Sequence, residues 1–194
     1  MLKVLVLLAV GFAHLFALNS VEININDKDL ELGASVDMSL MNDNIEPDTV
    51  FLGLKFLDGD KENSDFTTSG EIDTYYEVSF LMQKDFDANL EIGLGMKFNS
   101  AKNFKSFPLG GQARYELDTV VPVYVGGSIY YAPSVLAMSD AKSFMEYRVS
   151  VDIELIENAM VTLGYRSLDT NYDKPVAKDV SYNSSVYAGL KFRF

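Results

Sequence analysis

The last ten residues alternate strictly between apolar and polar or small side chains, and this feature most constrains what the chain can fold into. Val186, Ala188, Leu190, Phe192 and Phe194 fall on one side of an extended backbone. The residues between them are small, polar or basic. Because side chains alternate across a strand with a period of two, the pattern predicts a β-strand that separates two different environments.

Segments with the same alternation recur along the chain and predict an all-β protein. Most are ten or more residues long, close to the length that crosses a bilayer at a tilt and longer than a typical soluble strand. The predicted strands are residues 21–26, 30–40, 49–57, 71–83, 88–98, 108–117, 121–131, 144–156, 159–169 and 184–194. We therefore expect an antiparallel up-and-down transmembrane β-barrel of about ten strands, with eight as the alternative.

Short turns and long polar links alternate between these strands. Tight turns are predicted at residues 84–87, 118–120 and 156–158, and long links at 58–70, 99–107, 132–143 and 170–183. Outer-membrane barrels have short turns at the periplasmic rim, where an even strand count also places both chain ends. Link 41–48 is longer than expected for that rim. Link 132–143 is predicted to form a surface turn of helix, with a lid over the barrel mouth as the alternative.

Alternation alone does not say which face points outward. A soluble, lipocalin-type barrel has the same period, with apolar side chains inside and charges outside. The aromatic residue at position 194, the unequal connections and a polar face that mixes glycine with charges of both signs favour a membrane barrel with a narrow wet lumen. A soluble periplasmic carrier is retained as an alternative.

The composition excludes several functional classes. Cysteine is absent, and the single histidine, His14, lies in the segment predicted to be a signal. The usual nucleophile–base pairs and the commonest transition-metal ligands are therefore missing from the barrel, so we predict no enzymatic activity, no cofactor and no metal site. A net charge of −12 also argues against a nucleic-acid partner.

Residues 1–17 are predicted to be a secretory signal, because Lys3 is followed by a short apolar run. Cleavage is expected after Ala17, with Ala13 and Ser20 as competing sites and an uncleaved anchor helix as the alternative. Residues 18–194 then form one barrel domain.

Charged residues on the polar face are the candidate functional residues. We predict that nine of them line the lumen: Arg114, Glu116, Glu146, Arg148, Asp152, Glu154, Arg166, Lys191 and Arg193. The basic members are expected to oppose the acidic ones on neighbouring strands. Such charges either form a constriction that selects small polar solutes or fill a narrow barrel with salt bridges.

Five short motifs follow one another in the C-terminal part of the chain. They are Gly110-Gly111-Gln112-Ala113-Arg114-Tyr115, the stretch 125–133, Glu146-Tyr147-Arg148, Leu163-Gly164-Tyr165-Arg166 and the stretch 189–194. In order and spacing they resemble the YfaZ family of outer-membrane barrels over roughly residues 108–194. The resemblance implies an outer-membrane location in a Gram-negative-type bacterium and a porin-like character. It implies little about the molecular activity.

The final strand also resembles the closing strand of bacterial outer-membrane barrels. In those proteins the barrel-assembly machinery reads the aromatic end, which here corresponds to Phe192 and Phe194. The resemblance therefore implies this machinery, outer-membrane lipid and lipopolysaccharide as partners.

Together these features predict a porin-like or structural envelope protein that has a charged, narrow lumen and meets small polar solutes. The alternative functions are a surface adhesin or receptor, acting through the acidic loops 58–70 and 170–183, and the soluble carrier.

Overall fold

The computed structural model of the protein describes residues 19–59, 74–87, 89–101, 104–139, 141–172 and 180–194. The predicted signal lies outside these residues, with two of its three candidate cleavage sites, Ala13 and Ala17. The third, Ser20, is the first residue of a strand. Most of loop 58–70 and the middle of loop 170–183 also lie outside the described residues.

The described chain forms twelve strands and one 3₁₀ turn, Met38–Leu40. The strands are β1 (Ser20–Ile25), β2 (Asp29–Asp37), β3 (Val50–Gly59), β4 (Tyr75–Asp87), β5 (Leu90–Ala101), β6 (Phe104–Ser106), β7 (Leu109–Leu117), β8 (Val123–Ala132), β9 (Ala137–Ser139), β10 (Ala141–Ile156), β11 (Ala159–Tyr172) and β12 (Val180–Arg193). None of the helical structure in the described ranges is long and apolar enough to cross a membrane.

Ten of the strands close into an antiparallel barrel. Their order around the ring is β1-β2-β3-β4-β5-β7-β8-β10-β11-β12. The first and last strands close the ring, with Ser20 opposite Arg193 and Ile25 opposite Ala188. The prediction of about ten strands is confirmed, and the eight-stranded alternative is wrong.

Apolar side chains point out of the barrel and charged side chains point into it. Leu94 and Val186 are 71% and 68% exposed, whereas Glu146 and Arg166 are fully buried. A soluble lipocalin-type barrel has the opposite arrangement, so the soluble-carrier alternative is wrong. A polar interior enclosed by an apolar surface is the arrangement of a barrel that spans a membrane.

The two ends of the barrel differ. The turn end carries Asn19 and Phe194 and the connections 38–49, 88–89, 118–122 and 157–158. The loop end carries the other connections. At the turn end, the carboxylate of Asp37 fixes the long link by accepting hydrogen bonds from the backbone N–H groups of Ser39 (2.9 Å) and Asp48 (2.7 Å).

The predicted turn at 84–87 is wrong, because β4 continues to Asp87 and the connection is residues 88–89. Phe86 falls at an irregularity in the pairing with β5, between Asp85 and Asp87, and is 73% exposed, while Asp85 faces the lumen. Charged residues remain in the strand here because both the lumen and the rim of the barrel are wet.

Two predicted links contain short strands. β6 falls in link 99–107 and β9 in link 132–143, and they pair with each other from Phe104 opposite Ser139 to Ser106 opposite Ala137. The turn of helix predicted in link 132–143 is limited to a single turn after Pro133, whose carbonyl oxygen accepts hydrogen bonds from the N–H groups of Leu136 (2.8 Å) and Ala137 (3.0 Å). The chain then continues into β9, where pairing with β6 satisfies the backbone. The two strands extend the barrel wall at the loop end.

Candidate functional site

The lumen changes in character from the loop end to the turn end. At the loop end it is filled by buried residues, which we call the aromatic plug: Leu57, Tyr75, Ala101, Phe104, Ala132, Phe144 and Leu168. The rings of Phe104 and Phe144 stack with centroids 5.2 Å apart, and the ring of Tyr75 lies 6.5 Å from each. Phe104 reaches this position because β6 lies on the barrel wall above β7.

A layer of ionised side chains lies next to the plug on the turn side. This charged layer comprises Asp29, Glu31, Glu77, Lys97, Glu146, Arg148 and Arg166, each of which is at most 8% exposed. On one side, Lys97 Nζ lies 3.1 Å from Glu77 Oε1 and 2.9 Å from Glu146 Oε1. The same Glu146 oxygen accepts a 2.6 Å hydrogen bond from Arg148 Nε.

Glu31 connects this side of the layer to the other. Arg148 and Arg166 lie directly opposite each other on β10 and β11, a placement of like charges that is normally destabilising. Glu31 reaches between them from β2: its Oε1 lies 2.8 Å from Arg148 Nη1, and its Oε2 lies 3.5 Å from Arg166 Nη1. One carboxylate thus bridges two guanidinium groups across the lumen.

Further polar contacts complete the layer. Arg166 Nε donates to Asn183 Oδ1 (2.7 Å), and Arg166 Nη2 lies 3.4 Å from Asp29 Oδ2. Asn24 Nδ2 donates to Glu31 Oε1 (2.9 Å). Removing so many charges from water is costly unless each has an opposite partner, and every member of the layer has one. The pairing holds side chains from five strands together across the barrel and closes it.

The turn half of the lumen is open. A cavity of about 410 Å³, which we call the vestibule, is lined at the rim by Asn19, Asp48 and Arg193 and reaches inward to Glu22 and Lys55. Lys55 Nζ and Glu22 Oε1 form an ion pair 2.5 Å long. A second cavity of about 170 Å³ shares several lining residues with the vestibule.

Small inward-facing residues create this open half. The vestibule is lined by Gly53, Ser20, Ser35 and Ser79, at positions where larger side chains would fill a narrow barrel. Closer to the charged layer a glycine is covered instead: the ring of Tyr187 lies so near Gly164 that an added Cβ would stand 2.5 Å from Tyr187 Cζ.

Three of the nine predicted lumen residues, Glu146, Arg148 and Arg166, lie in the charged layer. Their expected pairing is only partly seen. Glu146 does pair with Arg148, but on the same strand, while the other partner of Arg148 is Glu31, on the far side of the lumen. The partners of Arg166 are Asp29 and Glu31, also on β2.

The other six predicted residues lie nearer the turn end. Asp152 accepts a 2.7 Å hydrogen bond from Thr162, and Tyr124 donates to Glu154 (3.4 Å). Arg114 lies 3.7 Å above the Tyr124 ring. Glu116 follows Arg114 by two positions on the same face of β7. Lys191 and Arg193 line the vestibule.

Sequence reasoning left Asp29, Glu31, Glu77 and Lys97 out of the candidate site. All four occupy polar positions of alternating strands, so the alternation was a usable signal for their orientation. The missing information was which strands face each other across the lumen: Glu31 and Arg148 are 117 positions apart in the chain.

Phe192 and Phe194 point outward at the turn end and are 42% and 71% exposed. Their role as an assembly signal stays a prediction. In the part of the chain that the structure describes, no cluster of acidic or histidine side chains is arranged to hold a metal ion.

Comparison with known proteins adds a family. The family model described as YfaZ precursor matches residues 89–194. No curated protein matches the chain. A solved structure described as KdgM porin is similar at a TM-score of 0.48 and 11% identity, covering 90% of this chain and 98% of that one. A structure of KdgM porin in complex with disordered oligogalacturonate is similar at 0.48 and 10%, with the same coverage.

Proposed function

The chain belongs to the YfaZ precursor family, and from this premise we propose that the protein is a narrow outer-membrane channel for small polar solutes, closed in the present structure. Its outward apolar face and enclosed charges support an outer-membrane, porin-like barrel. The word precursor in the family description agrees with the predicted signal at residues 1–17.

The observation that carries the proposal is the charged layer. A barrel with a purely structural role does not need ion pairs in its interior, because well-packed apolar residues of similar volume are often at least as stabilising. An ionic layer, in contrast, can exchange its partners for water and solute when the barrel opens. The vestibule brings solute from the turn end directly to this layer.

Opening also requires the aromatic plug to move. Phe104 lies on β6, which is outside the ten strands of the ring and pairs only with the end of β5 and with β9 among the described strands. β6 can therefore move, and carry Phe104 out of the plug, without breaking the strand pairing of the ring.

Single-channel recording in planar bilayers tests the proposal. We expect rare openings of low conductance for the natural protein, and longer openings for the double variant Phe104→Ala, Arg148→Ala, which weakens both closures. Lys105→Ala is the matched control, since Lys105 is exposed on β6 beside Phe104, and it should behave as the natural protein does. A double variant that keeps the barrel fold but never conducts would contradict the channel and favour a structural envelope role.

We also propose that the partners are those of an outer-membrane barrel. The exposed apolar side chains, among them Leu94, Val186 and Leu190, suit contact with outer-membrane lipid and lipopolysaccharide. Phe192 and Phe194 would engage the assembly machinery. The role is proposed to be non-enzymatic.

A further inference from the structure

One wall of the vestibule carries unbalanced negative charge. Asp85 on β4 lies directly opposite Glu91 on β5, and both line the cavity. Like charges in this position destabilise a sheet unless they are neutralised. Glu91 lies 3.7 Å from Arg114 Nη1 and accepts a hydrogen bond from Gln83 (3.2 Å), whereas Asp85 makes no ion pair with any described residue.

The wall formed by β12 carries unbalanced positive charge. Lys191 and Arg193 stand two positions apart on the same face and line the same cavity. Lys191 is opposite Glu22, but that carboxylate is already paired with Lys55 at 2.5 Å. Arg193 is opposite Ser20 on the neighbouring strand, and its guanidinium carbon extends to 5.9 Å from the ring of Tyr124 on β8. Neither basic residue forms an ion pair within the described chain.

These two walls face each other. β12 and β5 are five places apart around the ring of ten strands, which sets them on opposite sides of the lumen, and β4 is the next strand to β5. In the charged layer every charge has an opposite partner. In the vestibule Glu22 pairs with Lys55 and Glu91 lies near Arg114, but Asp85 on one wall and Lys191 and Arg193 on the other have no ion-pair partner among the described residues. A bound solute with charges at the complementary separation would neutralise them.

The space between the walls suits a small solute. The cavity of about 410 Å³ lies within the range of ligand sites, which is about 300–1,000 Å³. Neutral hydrogen-bonding groups line the strands between the walls, among them Ser20 on β1, Ser35 on β2 and Gln112 on β7. Such groups are matched to the backbone amides of a peptide or to similar polar groups.

We propose that the vestibule binds small dipolar solutes that carry separated ammonium and carboxylate groups, of the size of a di- or tripeptide. The ammonium group is held by Asp85 and Glu91, and the carboxylate by Lys191 and Arg193. A simple anion or a neutral sugar neutralises at most one of the two walls. The inference deepens the proposed function, since the solute occupies the entrance to the same lumen, but binding does not itself require conduction.

Calorimetric titration of the full barrel in detergent micelles tests this with three probes. They are tri-alanine, its N-acetylated form and its C-amidated form, so that each capped peptide lacks one of the two charges. Each cap is expected to weaken binding by about tenfold or more, because it removes a charge-assisted hydrogen bond.

Charge-neutral variants assign the two ends of the solute. With Asp85→Asn and Glu91→Gln combined, N-acetylation should no longer weaken binding, while amidation still should. With Lys191→Gln and Arg193→Gln combined, C-amidation should no longer weaken binding, while N-acetylation still should. Lys84→Gln is the matched control, because Lys84 precedes Asp85 on the opposite, exposed face of β4, and it should leave all three affinities unchanged.

Equal affinities for the three peptides would overturn the proposal, as would absence of binding or a preference for the N-acetylated anion. The result is separable from that of the conductance test. Conduction without peptide binding would remove this site and leave the channel, and peptide binding in a barrel that never conducts would support the site while removing the channel.

Discussion

The loop half and the turn half of the lumen are lined by similar charged residues but differ in how these are paired and in what lies between them. In the loop half, Glu31, Glu146 and Arg166 are fully buried and in contact with opposite charges. In the turn half, Asp85, Lys191 and Arg193 line an open cavity without ion pairs to described residues. The same ten strands form both halves, so closure comes from side-chain volume and charge pairing and not from a narrower ring.

The largest difference should appear when one carboxylate is removed from each half. Glu31→Ala leaves two opposed guanidinium groups buried without their shared partner, and we expect the free energy of unfolding to fall by about 3–5 kcal/mol. Glu91→Ala, at a side chain 32% exposed, should cost less than about 1 kcal/mol. Urea titration in lipid vesicles measures both values, and equal losses would mean that the charged layer is no more strongly coupled than the rim.

Aromatic residues give the next comparison. Phe144→Ala removes a fully buried ring from the aromatic plug and should cost about 3 kcal/mol. Phe51 lines the vestibule, so Phe51→Ala should lower the free energy of unfolding by less, about 1 kcal/mol. Urea titration in lipid vesicles again measures both values. A smaller loss of unfolding free energy for Phe144→Ala than for Phe51→Ala would show that the plug is loosely packed.

The smallest changes in stability are expected at two glycines, one covered by a side chain and one with free space beside it. An added Cβ at Gly164 would stand 2.5 Å from Tyr187 Cζ, so Gly164→Ala must displace the ring and should cost about 1–2 kcal/mol. At Gly126 the nearest atoms to an added Cβ are 3.6 Å away, and Gly126→Ala should change stability by less than about 0.5 kcal/mol. Indistinguishable stabilities would argue that Tyr187 does not cover Gly164.

Much of the fold follows from the sequence because a membrane barrel imposes one simple rule on every strand. Alternation predicts that Leu94 points to lipid and Lys97 to the lumen, and the strand count follows from how often the pattern recurs. The rule fails where charge was taken as a turn signal. Lys84 and Asp85 belong to β4, because a charged residue fits within a strand where it faces the wet lumen, as Asp85 does, or the wet rim of the barrel, as Lys84 does.

The candidate site was less accessible to sequence reasoning. Orientation into the lumen can be derived from one strand, but the bridge from Glu31 to Arg148 and Arg166 depends on which strands face each other after closure. The placement of Phe104 in the plug similarly depends on the pairing of β6 with β9. No local sequence pattern predicts that pairing. Long-range partners across a closed ring are set by the whole topology.

The most direct test of an open turn half and a closed loop half is whether a thiol reagent reaches a single introduced cysteine from each end of the barrel. The natural chain contains no cysteine, so the introduced thiol is the one that reacts. In proteoliposomes with one barrel orientation, Ser79→Cys in the vestibule should react with a small charged thiol reagent added at the turn end. It should not react when the reagent is present only at the loop end. Lys105→Cys, exposed on β6, should react from the loop end and confirm delivery. Equally fast labelling of Ser79→Cys from both sides would contradict the closure of the lumen by the charged layer and the aromatic plug.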